Sequence, residues 1–522
     1  MESLVEFRLR VEEELISVWP MWQAMVMSRR LGVQIAAFTG VALAAVMLTA
    51  ILAVDHPAKF WRHRIADISL MHGWVPATVQ TISAVVLVGA IGWRTRRWRV
   101  LQVPLAFVLG VILAVWAHWD IASTGIAGDP APRALWIWIG LTGLAAGIVV
   151  LGWRSARWWR RVVSVLAVPL CLLSAALAVN VWVGYFPTVH TAWTQLTAGP
   201  LPNQTDRATV TAMQLKGVMP AKGVVVPVNI SADASKFKHR GELVYLPPAW
   251  FASTPPPRLP AMMMIGAEIN TPADWLRAGN AVSTADAFAA ARGGNAPVLV
   301  FADSGGAFGN DTECVNGSRG NAADHLTKDI VPFMISNFGV SPDPSHWGVA
   351  GFSTGGTCAV DLTVMHPDLF SVFIDISGDL GPNSGTKAQT VARLFGGNAA
   401  AWAAFDPTTV ITRHGPYHGV SGWFAIAGAD IGARNPGGQD AAANSLCALG
   451  RTKGIVCAVV AQPGKHDWSL AANAFAAALP WLAGRLGTPG VPQVRLPEST
   501  SAPVPSAYPS PATAALIATP SP

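Results

Sequence analysis

Long uncharged apolar runs separated by short polar loops dominate the first third of the chain. Five of these runs are long enough to cross about 30 Å of hydrocarbon as an α-helix, and they cover residues 31–54, 74–93, 100–119, 134–153 and 162–186. Trp and Tyr side chains lie near the run ends, as they do at the headgroup level of membranes. The pattern predicts a five-span transmembrane domain over residues 31–186, preceded by a cytoplasmic segment, residues 1–30.

The loops between the runs predict the orientation of the chain in the membrane. Loops Arg94–Arg99 and Arg154–Arg161 are strongly basic, and Lys and Arg accumulate on the cytoplasmic side because they resist translocation. With five spans, both the amino terminus and these loops are then inside, and everything after Phe186 is outside. We therefore expect a multi-pass protein of the cell membrane with an extracytoplasmic carboxy-terminal domain.

A different pattern follows the spans, in which short apolar strands alternate with helix-like segments. The predicted strands are Val224–Ile230, Glu242–Leu246, Ala261–Ile265, Pro297–Ala302, His346–Ala350, Phe370–Ile376, Gly422–Ala427 and Ile455–Ala461. Helices are predicted over Asn321–Phe338, Thr354–His366 and Trp468–Leu486. Many of the strands are continuously apolar, which is typical of strands covered on both faces. This alternation predicts an α/β domain with a mostly parallel sheet.

The flanks of this domain differ from it in composition. Residues 187–218 are rich in Thr, Pro and Gly and are predicted to be a linker. The folded domain then covers residues 219–487. Residues 488–522 consist mainly of Pro, Ser, Ala and Thr, so we expect a disordered tail that cannot bury a core.

Composition and charge exclude some classes of protein. The chain is 51% apolar and only 13% charged, with a net charge of +6, whereas soluble domains are about 25% charged. The basic balance could suggest nucleic acid, but the Arg residues flank the apolar runs and are explained as topology signals. We expect no nucleic-acid partner. No Cys spacing is typical of zinc, and we expect neither a metal nor a cofactor.

Four of the five cysteines belong to the outer region, and Cys171 lies in the fifth span. An oxidising compartment would permit two disulfides. Sequence does not fix the pairing, but Cys447 with Cys457 is local and leaves Cys314 with Cys358. Four buried thiols are the alternative.

The motif Gly351-Phe352-Ser353-Thr354-Gly355 follows the apolar strand HWGVA and precedes the helix-compatible run GTCAVDLTVMHP. A G-x-S-x-G pattern alone is weak in a Gly-rich chain. A strand before it and a helix after it are the context of a nucleophile turn, where glycines on either side of the serine let strand and helix approach. Ser353 is therefore the predicted nucleophile.

Acid and base follow the serine in the order Ser, Asp or Glu, His in an α/β-hydrolase. The strand GWFAIAGAD ends at Asp430, and the loop after the last strand holds His466. Because carboxyl ends of parallel strands meet at one edge of a sheet, these residues are predicted to form a triad with Ser353. Asp440 and Asp467 are the competing acids. For the oxyanion hole we predict the N–H groups of Thr354 and, from the loop after strand PAMMMI, Ala267.

Five segments in order resemble the esterase family that includes esterase D and the antigen 85 mycolyltransferases. They are RGELVYLPPAWF, MMMIGAEINTPADW, HLTKDIVPFMISNFGV, WGVAGFSTGGTCAVDLTVMHPDLFSVFIDISG and PGKHDWSLAANAF. The resemblance covers about Lys236–Leu486. It implies the α/β-hydrolase fold, the triad Ser353, Asp430 and His466, and carboxylic esters as substrates. In the mycolyltransferase branch an acyl group passes to a sugar such as trehalose or to the cell wall. Antigen 85 proteins, however, are secreted without a five-span anchor and have Glu as the acidic member.

The leading hypothesis is an extracytoplasmic serine esterase or acyltransferase acting on envelope lipids or acylated glycans through an acyl-serine intermediate. A catalytically silent envelope or interaction protein that keeps the fold is the alternative. A transporter or membrane sensor is a third hypothesis. The spans contain almost no polar groups that would support it.

Overall fold

The computed structural model describes residues 68–71, 73–92, 95–124, 131–197, 201–307, 309–428 and 438–500. The predicted first span, the amino-terminal segment, Asp430 and residues 501–522 lie outside the described residues.

Four long apolar helices precede the α/β domain. They are α1 (Trp74–Ile91), α2 (Val103–Thr124, continuing a π-helical turn over Trp98–Gln102), α3 (Arg133–Gly152) and α4 (Trp158–Val183). Each is long and apolar enough to cross a membrane. They correspond to the second to fifth predicted spans, within a few residues at each end.

The four helices run up and down and pack through small residues. Gly110 on α2 meets α3 so closely that an added Cβ would lie 2.4 Å from the Gly140 oxygen. On α1, Ser83 Oγ lies 2.9 Å from Ser174 Oγ on α4. Small residues and interhelical hydroxyl bonds let helices associate where lipid removes the hydrophobic driving force.

Eight strands form one sheet in the α/β domain. They are β1 (Val224–Val228), β2 (Glu242–Leu246), β3 (Ala261–Ile265), β4 (Val298–Ala302), β7 (Trp347–Phe352), β8 (Val372–Ile376), β9 (Ser421–Ala427) and β10 (Val456–Gln462), while β5 (Asn316–Gly317) and β6 (Gly320–Asn321) form a separate small hairpin. The order is β1-β2-β4-β3-β7-β8-β9-β10. The β1–β2 and β2–β4 pairs are antiparallel and the remaining pairs are parallel. This α/β-hydrolase fold confirms the predicted fold class.

Burial on both faces explains why these strands are apolar throughout. Every residue of β2, β3, β4, β7, β8 and β9 is buried. One core lies on each side of the sheet, so alternate side chains of β3, such as Met262 and Met263, enter opposite cores.

Helices cover the sheet and fill its connections. They are α7 (Asp274–Arg277), α8 (Ala281–Ala290), α9 (Ala322–Asp324), α10 (Val331–Phe338), α11 (Thr354–Met365), α12 (Lys387–Phe395), α13 (Ala399–Ala403), α14 (Pro407–Arg413), α15 (Gln439–Thr452) and α16 (Trp468–Arg485). A π-helical segment, His325–Ile330, joins α9 to α10, and 3₁₀ turns lie at Pro248–Phe251 and Pro344–His346.

The two segments flanking the domain are more structured than their composition indicates. The predicted linker contains α5 (Val189–Leu196) and α6 (Arg207–Lys216), and Val210 of α6 is buried in the sheet's core. In the predicted tail, Thr500 N–H donates to the Val459 oxygen at 2.9 Å. β10 is a sheet edge with backbone groups that need partners, which composition alone does not reveal.

The α/β domain lies at the end of the helical bundle where α1 and α3 begin and α2 and α4 end. Ser69 and Thr188 form a β-bridge just outside α1 and α4. Arg393 donates to the Ala122 oxygen near the end of α2, at 2.9 Å. The loops after α1 and α3, which hold the basic clusters, are therefore at the opposite end of the bundle.

Two carboxyl groups are buried beside the central strands. Burial raises the pKa of Asp375, on β8, to about 7, although the carboxylate accepts the Gly378 N–H. Burial, with Asp406 and Asp375 nearby, also raises the pKa of Asp361 on α11. A group with a raised folded-state pKa stabilises the fold below its unfolded pKa and loses that contribution as pH rises through the folded value.

We expect Asp375→Asn to gain thermal stability relative to the wild type as pH rises from 3.8 to about 7, because asparagine keeps the acceptor for Gly378 but never ionises. Above that window the difference in Tm should be constant. Asp303→Asn is the control, because the Arg240 ion pair more than offsets burial and lowers the pKa of Asp303. Its effect on Tm should not vary over the same window. A Tm difference for Asp375→Asn that is independent of pH would contradict the prediction.

Candidate functional site

Ser353 lies on the sharp turn between β7 and α11. Its backbone has φ 58° and ψ −123°, a conformation that costs a non-glycine residue about 1–3 kcal/mol. The flanking glycines make the turn possible, since a Cβ on Gly351 would lie 1.8 Å from the Gly355 oxygen, and one on Gly355 would lie 2.4 Å from the Ile265 oxygen. The turn places the Ser353 hydroxyl at the carboxyl edge of the sheet, as the motif predicts.

His466 meets this hydroxyl from the loop between β10 and α16. Its Nε2 lies 3.0 Å from Ser353 Oγ, and its ring lies 5.0 Å from the Phe352 ring. The next residue, Asp467, caps α16 by accepting the Leu470 N–H at 2.9 Å. The competing acid Asp467 is thus directed into the helix end.

The other nitrogen of His466 has a partner that the sequence analysis missed. Nδ1 lies 2.8 Å from Oε1 of Gln439, at the start of α15. With the amide oxygen as acceptor, Nδ1 carries the proton and Nε2 is free to act as a base toward Ser353. Gln439 follows the strand that leads to Asp430, so its place in the chain was the available signal. Asp440, the other competing acid, accepts the Ala441 N–H at 2.8 Å.

The two predicted oxyanion donors line the same cavity as Ser353. Thr354 is the first residue of α11, and Ala267 lies just after β3. The contact of Gly355 with the Ile265 and Gly266 oxygens brings these two segments side by side. N–H groups at this position stabilise the negative oxygen of a tetrahedral intermediate.

An ion pair supports the loop that holds Ala267. Asp303 Oδ1 accepts a hydrogen bond from Arg240 Nε at 3.1 Å. Arg240 Nη2 donates a second hydrogen bond to the backbone oxygen of Asn270 at 2.8 Å. Asn270 N–H in turn donates to the Ala267 oxygen at 3.0 Å. This chain of contacts fixes one side of the cavity.

The cavity around Ser353 has a volume of about 410 Å³ and two walls of different character. One wall is polar and belongs to the α/β domain, with Asn270, Glu313, Asp379, Asn383 and Lys465. The other is apolar and includes residues of the helical bundle: Pro132, Val181, Trp182 and Val183. A molecule with a polar part and an apolar part fits such a site.

Glu313 is the most deeply buried acid of the polar wall. Burial and the neighbouring Asp311 and Asp379 raise its pKa well above the ordinary value. A neutral Glu313 carboxyl can donate a hydrogen bond as well as accept one. The disulfide Cys314–Cys358 ties this loop to α11, the helix behind the nucleophile.

The structure contains both disulfides that the sequence suggested. Cys447 and Cys457 join α15 to β10, and thereby link the elements that hold Gln439 and His466. Cys171 is a free thiol buried within α4.

The end of α4 also contacts both loops that form the site. Gly184, its left-handed cap residue at φ 68°, is so close to Asp467 that an added Cβ would lie 2.0 Å from the Asp467 Cβ. Tyr185 donates a hydrogen bond to Asp274, which accepts the Thr271 N–H at 2.6 Å. The bundle therefore braces the His466 loop and the loop after Ala267. No pattern in the sequence indicates this support, because it depends on contacts between segments far apart in the chain.

One cluster among the described residues has donor atoms close enough to hold a metal ion, namely His239, Glu242 and His325. Glu242 Oε1 lies 2.7 Å from His239 Nδ1 and 3.1 Å from His325 Nε2. These are hydrogen-bond distances, so protons on the imidazoles account for the cluster. It does not line the cavity.

Comparisons with known proteins find a family match and related sequences. Residues 238–481 match the family described as "Putative esterase". The chain is 29% identical over 414 residues to an uncharacterized protein of Corynebacterium glutamicum, covering 78% of this chain and 93% of that protein. It is 31% identical over 111 residues to the MPT51 antigen of Mycobacterium leprae, covering 21% of this chain and 34% of the antigen.

Two solved structures are each similar to about half of this chain. The MPT51 structure from Mycobacterium tuberculosis has 20% identity and a TM-score of 0.34, and the alignment covers 50% of this chain and 99% of that one. An S-formylglutathione hydrolase from Agrobacterium tumefaciens has 15% identity and a TM-score of 0.42, with 51% and 97% covered.

The acceptor for His466 Nδ1 can be tested by substitution. We expect Asp430→Asn to lower kcat for p-nitrophenyl butyrate about 10³- to 10⁴-fold, because losing the acid of a Ser-His-Asp triad has an effect of this size. Gln439→Ala should lower kcat about tenfold, because it removes one neutral hydrogen bond. Asp440→Asn is the matched control and should stay within about twofold of wild type, because Asp440 accepts the Ala441 N–H and makes no hydrogen bond to His466, and asparagine keeps the acceptor. A larger loss for Gln439→Ala than for Asp430→Asn would make the amide the principal partner.

The bracing of the His466 loop predicts that Gly184→Ala slows cleavage of the same ester at least about tenfold, because displacing a catalytic group by about 1 Å has effects of this size. Gly217→Ala is the control, since Gly217 also caps a helix at φ 63° but has nothing within 4 Å of an added Cβ. Both variants carry the same backbone strain, so equal rates would show that contact with Asp467 is irrelevant.

Proposed function

We propose that the protein is an extracytoplasmic serine esterase or acyltransferase that forms an acyl-enzyme on Ser353, and the proposal starts from the match of residues 238–481 to the family described as "Putative esterase". Cleavage of carboxylic esters through a serine is the activity of the family. The assignment of individual residues and of the substrate is our proposal.

The contact between Ser353 Oγ and His466 Nε2, 3.0 Å long, is the observation that carries the proposal. His466 takes the proton as Oγ attacks the ester carbonyl, and the new C–O bond makes a tetrahedral intermediate. The intermediate collapses when the alcohol leaves with the proton from His466. Water or another alcohol then gives its proton to His466 and attacks the acyl-enzyme, and His466 returns a proton to Ser353 Oγ as the C–O bond to the acyl group breaks.

Asp430 is proposed to stabilise the imidazolium that forms in these steps, as the order of the triad residues predicts. Gln439 would hold the Nδ1–H tautomer alongside it. The N–H groups of Thr354 and Ala267 would bind the oxyanion, in a cavity that both residues line.

The location proposed for the domain is the outer face of the cell membrane. The basic loops lie at one end of the bundle and the α/β domain at the other, and basic loops stay in the cytoplasm. Two disulfides in the domain agree with an oxidising compartment.

The proposed substrates are esters of envelope lipids or acylated glycans, including mycolyl-type esters, with a sugar or the cell wall as acceptor in a transfer reaction. The polar wall of Glu313, Asp379 and Asn383 supports a hydroxyl-rich group beside Ser353. The similarity to the MPT51 antigen supports the antigen 85 branch.

Fluorophosphonate labelling of the full-length protein tests the nucleophile. We expect labelling of the wild type and none of Ser353→Ala or His466→Ala, because the probe needs an activated serine. Ser377→Ala is the control, since Ser377 also lies at a strand end with positive φ, 52°, and this variant should label normally.

Labelling of Ser353→Ala would place the nucleophile elsewhere, and a wild type that never labels would favour a catalytically silent protein that keeps the fold. A labelled acyl donor supplied with and without trehalose then distinguishes the two reactions. Acyl-trehalose is the expected product of a transferase, and free acid that of a hydrolase.

A further inference from the structure

The apolar wall of the cavity comes from a helix that is itself long and apolar enough to cross a membrane. Val181, Trp182 and Val183 are the last three residues of α4, so they lie where the apolar run ends and the membrane surface is expected. Pro132, at the start of α3, lies at the same level. An esterase acting only on soluble esters would not need a membrane helix in its site.

The helix that ends at this wall also exposes apolar side chains along its length. The side chain of Val181 is 38% exposed, and Val179, half a turn earlier, is 37% exposed. Further along α4, Leu172 and Leu173 are about half exposed. In a bilayer Leu172, Leu173 and Val179 would contact acyl chains, and the same helix ends at Val181, Trp182 and Val183, which line the cavity.

A molecule that contacts both walls is therefore bound in one orientation. The acyl part of an ester gains from the burial of apolar surface against Val181 and Trp182, and the polar part faces Glu313 and Asp379. The ester carbonyl lies between them, next to Ser353. Gly184 and Tyr185 hold the wall rigidly against the loops of the site.

From this arrangement we propose that the end of α4 is the acyl-binding wall of the active site, and that the acyl donor is a long-chain lipid ester that enters directly from the outer leaflet. Val181 is a specificity-determining residue for that chain. This inference rests on the proposed function, because it assumes acyl transfer through Ser353, and adds the route and the chain that the site selects.

The test compares two esters on the full-length protein in phosphatidylcholine–phosphatidylglycerol vesicles. One is a diacylglycerol with a pyrene-labelled long acyl chain dissolved in the bilayer, and the other is soluble p-nitrophenyl acetate. Val181→Trp fills the wall and should lower kcat/KM for the bilayer ester about tenfold or more, the effect of a few misplaced methylenes in an apolar pocket. Cleavage of the acetate should stay within about twofold.

Val179→Trp is the matched control, with the same change on the same helix at the same exposure but outside the cavity lining, and both rates should match the wild type. Val181→Ser is a second variant in case the larger side chain impairs folding, and it too should slow only the bilayer ester. Fluorophosphonate labelling verifies that each variant keeps an intact site.

Equal effects of Val181→Trp and Val179→Trp on the bilayer ester would overturn the inference, as would a wild type that cleaves the acetate but not the bilayer ester. In those cases the proposed function stands, because labelling and acetate cleavage persist. A wild type that neither labels nor cleaves the acetate instead overturns the proposed function and the inference with it.

Discussion

The short contact between Ser353 and His466 depends on a turn that most residues could not make. Strand β7 must reverse into α11 within a few residues, and the backbone of Ser353 is strained as a result. Gly351 and Gly355 are the positions at which any side chain would collide with backbone. Because the turn is fixed by the packed sheet below it, the strain is stored in the fold and the hydroxyl remains directed at the imidazole.

The second partner in this contact is held from an unexpected direction. His466 belongs to a loop that rests on the cap of α4, and the loop after Ala267 is linked to α4 through Tyr185 and Asp274. Serine, imidazole and the predicted oxyanion donors are thus braced by both the sheet and the helical bundle. Both the α/β domain and the helical bundle therefore hold the catalytic residues in place, although the compositions of the two regions suggest separate roles.

The environment of the site divides along the same boundary. Acids such as Glu313 are buried on the side of the α/β domain, where low polarity raises their pKa and favours the neutral form. Pro132, just before α3, and the apolar end of α4 line the same cavity. A site of this kind orients amphipathic molecules, because their polar part fits the polar wall and their apolar part fits the apolar wall.

The sequence by itself determined the fold class, the four described apolar helices and the bounds of the eight sheet strands to within two residues, because hydrophobic periodicity and turn residues are local signals. It also brought Ser353 and His466 together, since a nucleophile motif and strand ends suffice to identify one edge of a sheet. Tertiary structure alone decided that Gln439 contacts His466, that residues 499–500 cover β10, and that α4 enters the cavity. These contacts join segments far apart in the chain, through side chains and backbone groups whose partners no local pattern specifies.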